Sequence, residues 1–192
     1  MAGTNYRGWE KRRWLLDGSP TVTLVESFRR EEITTDLVAS LVTAVMTSVA
    51  LPLQAGDVVT TLGFLSGATA GGTLTNEWAA LYDTSATPAL IAQSTSVTTA
   101  WAADTFKTFT LATAYTVPKD GVYYAALMIA ATTVPTLMGK LVGTTTRLLP
   151  STGIVTGQLA LAQNSGSSLA ATAPATIATP TVQSTVPYCI AQ

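Results

Sequence analysis

Few side chains in this sequence are equipped for chemistry, and their types and spacing narrow what that chemistry can be. The chain has 192 residues, with 10 Lys+Arg, 11 Asp+Glu and no His. Without His there is no His-ligated metal, no Ser-His-Asp triad and no Cys-His dyad. The single cysteine, Cys189, excludes an internal disulfide and a thiolate zinc site. It reads instead as a small buried apolar residue. Asp57, Asp83, Asp104 and Asp120 each fall at a strand end or turn. Loops that gathered two of them would suit Ca²⁺, yet Asp favours turns anyway, because its carboxylate bonds nearby backbone. Glu77 and Asp83 are too far apart for a glycosidase pair: six residues along one strand is roughly 20 Å. Gly67–Gly72 lacks the lysine and the following helix of a phosphate loop. The residues therefore point to no metal, no cofactor and no catalytic group, and a non-enzymatic protein is expected.

The charge is also unevenly placed. Twelve of the 21 charged residues lie in positions 1–36, six of each sign, and none follows Arg147. A net charge of −1 argues against nucleic-acid binding, which needs many cations to neutralise phosphates. The opening residues lack the apolar run of a signal peptide. The most apolar later run, Val122 to Ala131, is too short for a membrane-spanning helix, so no membrane insertion is expected. The chain reads as an N-terminal arm over 1–40 and a nearly uncharged body over 41–192.

The elements that must position these groups read as strands. Val45, Val49, Leu51 and Leu53 alternate with Met46, Ser48 and Ala50, before a turn at 54–57. A β-branched and aromatic run follows over 58–65. Glu77–Asp83 reads as a strand with Trp78, Ala80 and Tyr82 inward and its two end carboxylates outward, since an unpaired buried charge is costly. Further strands are expected over 90–95 and over 106–113, the latter with Phe109 and Leu111 inward. After the turn at 118–121, the run 122–130 is apolar on both faces. That suits a central strand covered on one side by an opposing sheet and on the other by a loop, the arm or a neighbouring subunit. The segment 33–46 fits either a helix or, preferred for its β-branched content, a turn near 34–40 and then a strand. Residues 143–183 are a low-charge Gly/Ser/Thr/Ala/Pro stretch, either disordered or laid across the body. A final strand is expected at 186–191, with Pro187 at an edge or bulge. Short strands with Gly, Pro and Asp turns and no intervening helices indicate an all-β, antiparallel sandwich.

Four stretches carry a resemblance: 48–70 (SVALPLQAGDVVTTLGFLSGATA), 76–83 (NEWAALYD), 99–105 (TAWAADT) and 115–124 (YTVPKDGVYY). Together they resemble a group of virion structural proteins, minor tail or decoration-type, of tailed bacteriophages of actinobacteria. The resemblance spans about 41–141 plus the terminal strand. It implies a jelly-roll-like β-sandwich working in the virion and assembled in the host cytoplasm. It also implies other virion proteins and copies of itself as partners, a trimer being the expected assembly.

Two clusters could bind. Tyr6, Trp9 and Trp14, interleaved with Arg12 and Arg13, combine the residue types that dominate interface hot spots, and read as a docking segment for a neighbouring virion protein. The alternative is that these aromatics cover the base of their own sandwich. Trp101, beside the glycine-rich loop 66–72, is the residue that would stack on a host-surface glycan; the competing reading is a loop plug. Trp78 alternates with Ala80 and Tyr82 and reads as core.

Overall fold

A computed structural model of the chain describes residues 24–142 and 159–192. Strand follows strand because the apolar residues recur with period two, punctuated by Gly, Pro and Asp turns. The elements are β1 (Val25–Glu26), a single 3₁₀ turn at Arg30–Glu32, β2 (Thr35–Leu37), β3 (Met46–Leu53), β4 (Val58–Leu65), β5 (Gly72–Tyr82), β6 (Leu90–Gln93) and β7 (Phe106–Thr116). They continue with β8 (Gly121–Thr133), β9 (Leu137–Leu141), β10 (Ala162–Ser165), β11 (Thr181–Val182), β12 (Thr185–Pro187) and β13 (Cys189–Ala191).

All strand pairings are antiparallel. They form a four-stranded sheet in the order β1-β13-β4-β7, a six-stranded sheet in the order β11-β10-β3-β8-β5-β6, and a small sheet β12-β9-β2. The protein is an all-β antiparallel sandwich. Its principal core lies between the two larger sheets. One wall is Val49, Leu51, Leu53, Ala79, Leu81, Tyr123, Ala125 and Leu127; the other is Val59, Leu62, Phe64, Phe109, Leu111 and Cys189. Burying a large apolar side chain there contributes about 1.5–3 kcal/mol.

β8 is the central strand, as its two apolar faces require, paired with β3 on one side and β5 on the other. Its outer face is covered by the chain's own later excursion. Leu169, Ala173 and Ile177 lie over Met46, Trp78, Ala80, Tyr82, Tyr124, Ala126 and Met128. The described part of the low-charge stretch is therefore an ordered layer across the body.

That layer changes one expectation. Trp78, Ala80 and Tyr82 do not face the space between the sheets; they form the outer row, while Ala79 and Leu81 point inward. The polar tips of the aromatic residues explain the choice. Trp78 Nε1 donates to Ala170 O at 2.7 Å, Tyr82 Oη to Pro174 O at 2.8 Å and Tyr124 Oη to Ala160 O at 3.0 Å. Between two packed sheets these donors would meet apolar side chains; against an irregular segment they find carbonyls.

Residues 24–40, read from sequence as arm, are woven into the sheets: β1 pairs with β13 and β2 with β9. Phe28 and Leu37 are buried there, and Phe28 meets Tyr188 edge-on. The segment 33–46 holds no helix, and the turn expected near 34–40 falls at 38–40, after a short strand. It forms strand β2, then an irregular loop to β3 that carries Ala44 at φ 56°. Pro187 sits on β12, an edge strand, opposite Gly139. Tyr188 then carries the chain from the small sheet into the four-stranded one, its N–H bonded to Met138 O at 2.9 Å.

Candidate functional site

The most unusual chemistry in the described residues lies between the sheets. Glu77 on β5 is fully buried, contrary to the expectation that its carboxylate faces outward. Its parity is the reason. With Trp78, Ala80 and Tyr82 committed to the outer face, Glu77 must share the inner face with Ala79 and Leu81. A partner meets it from the opposite sheet. Lys107 on β7 stands in the same inward register as Phe109 and Leu111, and its Nζ donates to Glu77 Oε2. Nζ also donates to Thr99 O at 2.8 Å. The ammonium lies 5.4 Å from the Trp101 ring centroid and 5.8 Å from that of Phe109, within cation–π range of both.

The pair is unevenly satisfied. Lys107 keeps 16% of its side-chain surface exposed and Glu77 none. Glu77 Oε1 has no hydrogen-bond partner. Burial raises the Glu77 carboxyl above its ordinary value, and this outweighs the hydrogen bond and charge of Lys107, which pull it down. Chemically, the arrangement is a desolvated carboxyl in contact with a primary amine. Sequence reasoning missed Lys107. Its signal was available: a lone cation in the inward register of an amphipathic strand needs a buried partner.

Trp101 is 2% exposed, which leaves its ring no open face for a sugar and fits the loop-plug reading of the two. The ring meets Phe109 edge-on at 6.0 Å between centroids, and its Nε1 donates to Thr105 O at 3.2 Å. The neighbouring glycine-rich loop is closed off in the same way. Ser66 Oγ bonds Ala102 O at 2.7 Å and Thr105 O at 3.0 Å, while Gly71 N–H bonds Trp101 O at 2.9 Å.

The turn aspartates cap backbone. Asp57 accepts from Gln54 N at 2.8 Å, and Asp120 from Ala55 N at 2.9 Å. Asp83 accepts from Ser85 N at 3.0 Å, Ser85 Oγ at 2.6 Å and Ala89 N at 2.8 Å. Partial burial works to raise the Asp83 carboxyl, but these bonds and the Lys119 charge hold it below the ordinary carboxylate range. Asp104 occupies a left-handed turn position, φ 51°. Among the described residues no three His, Cys, Asp or Glu side chains gather as a metal site. Cys189 is buried in the core, and desolvation pushes its thiol up, away from reactivity.

A second ionic cluster ties the first described strand down. Tyr188 Oη donates to Glu26 Oε1 at 2.5 Å, and Arg30 Nε to the same oxygen at 2.9 Å. Tyr6, Trp9, Arg12, Arg13 and Trp14 lie outside the described residues. Compared with protein-family models and with curated proteins, the chain matches none.

Proposed function

We propose that the chain is a non-enzymatic structural subunit of a tailed-bacteriophage particle, a minor tail or capsid decoration protein of jelly-roll-like form. It assembles by burying uncharged surface against copies of itself and a neighbouring virion protein. The segment carrying Tyr6, Trp9, Arg12, Arg13 and Trp14 docks on that neighbour. The observation that carries this reading is how the described residues spend their charge. Glu77 and Lys107 pair in the interior, Glu32 pairs with Lys140, and Asp57 and Asp120 cap turns. The exposed described positions are mostly threonine, alanine and serine, beside a few charged ones such as Arg29, Glu31, Asp104 and Lys119, and Val38 81%, Leu141 59% and Leu159 53% exposed. Such a surface offers little electrostatic resistance to association between copies, and many weak contacts in a particle add up. The sequence resemblance supports the same reading.

The test is co-purification. Mass spectrometry of purified particles from the encoding phage is expected to find the chain in stoichiometric amount, and light scattering of the isolated protein to find a trimer. A chain lacking residues 1–23 is expected to fold, by circular dichroism, and fail to enter particles. A monomer missing from purified particles refutes the proposal.

A further inference from the structure

We infer that Glu77 and Lys107 condense to an intramolecular amide that covalently joins the two sheets of the sandwich. The inference is independent of the virion reading.

The first argument is contact and position. Glu77 on β5 belongs to the six-stranded sheet and Lys107 on β7 to the four-stranded one, and Nζ touches the carboxyl. Holding two reactants in this way replaces a bimolecular encounter by an intramolecular one, worth several orders of magnitude in rate. The second argument is the count of donors and acceptors. An ammonium has three protons to place, and Glu77 Oε2 and Thr99 O take two of them. A carboxylate wants donors at both oxygens, and Oε1 has none. A secondary amide has one N–H, for which Thr99 O is already in place, and a neutral carbonyl whose missing donor costs less than that of a charged oxygen. The third argument is desolvation. A fully buried carboxylate loses hydration that its cation repays only with full hydrogen bonding, and Glu77 lacks it. A neutral product removes both charges.

The step balances without any co-reactant. Nζ returns one proton to the Glu77 carboxyl, giving a neutral amine and a neutral acid. Burial of Glu77 favours that neutral acid. The Nζ lone pair attacks Cδ, and the bond from Cδ to one carboxyl oxygen breaks. That oxygen leaves as water, carrying the proton it received and one more from Nζ. Nothing is oxidised or reduced. The partial exposure of Lys107 gives the water its way out. Trp101 and Phe109 then wall the product from attack by solvent. A chain with one cysteine cannot staple its sheets by an internal disulfide; this linkage does so with other chemistry.

The experiment is the mass of the full chain, denatured, by electrospray. It is expected to fall one water molecule below the sequence mass, whereas Lys107→Arg should have its full sequence mass. Trypsin, which needs a free ammonium, should leave the bond after Lys107 uncut. Trypsin with chymotrypsin should release a branched peptide joining residues 77 and 107, and tandem mass spectrometry of the wild-type chain decides the matter even if Lys107→Arg does not fold. Full sequence mass in folded wild-type protein after prolonged incubation overturns the inference. So does water loss located at Asp17–Gly18 or Asp120–Gly121, where an aspartyl succinimide would account for it.

Discussion

Replacing Lys107 by Met, and separately by Arg, isolates what the buried carboxyl of Glu77 requires. Neither variant can form the amide, which in wild type would close a loop of 30 residues and, by chain entropy, contribute about 3.5–4 kcal/mol. Both lose that amount. They differ in whether Glu77 keeps a cation. Arg restores a charge for the carboxylate, whereas Met leaves a fully buried acid with no partner on either oxygen. Removing one member of a buried pair costs about 3–5 kcal/mol, so Lys107→Met should be less stable than Lys107→Arg by that amount at pH 7. The gap should depend on pH, and its sign follows from burial. Without Lys107 only desolvation acts on Glu77, so its folded-state pKa stands further above the ordinary 4.5 than with the lysine present. A raised carboxyl binds its proton more tightly in the folded state. Stability of Lys107→Met is then fully present below pH 4.5, falls as pH rises through the elevated folded value, and levels off above it. Urea unfolding of both variants from pH 4 to pH 8, followed by tryptophan fluorescence, measures this directly. A gap that stays constant across the range would refute the burial argument.

Tyr82→Phe removes only the hydroxyl that holds Pro174 O and should cost about 1 kcal/mol. Amide exchange across 169–177 should quicken more than exchange in β8, because the covering layer and not the sandwich loses its anchor. Two glycines should respond to alanine with losses of very different size. At Gly139 a Cβ would meet Val186 O at 2.3 Å and Leu37 Cδ1 at 2.6 Å, so β12 and β9 must part; a loss of about 3 kcal/mol or more in chemical denaturation is expected. At Gly63 the three nearest atoms it would meet all belong to the ring of Phe106, which is 43% exposed and can swing away, so the loss should stay under about 1 kcal/mol.

Much of the sandwich was legible because period-two alternation is a local property. Val49, Leu51 and Leu53 on β3, and Phe109 and Leu111 on β7, face the core as their spacing requires. The two-faced apolar run of β8 announced a central strand with a second cover, and the turn aspartates cap backbone as short carboxylates do. The sequence could not say which face of β5 turns inward. Alternation separates Trp78, Ala80 and Tyr82 from Glu77, Ala79 and Leu81, but ranks the larger apolar set as core. Only the excursion over 169–177, distant in sequence, makes an outer face that accepts those rings and their hydroxyl and indole donors. Once that layer is in place, Glu77 is forced between the sheets, and it is tolerable there because β7, thirty residues on, delivers Lys107 from the opposite side. Composition and spacing thus determined a low-charge antiparallel sandwich with no triad and no thiolate metal site. Long-range packing alone decided where its buried acid and amine meet, since a charge enters a core only when a partner from another element arrives with it.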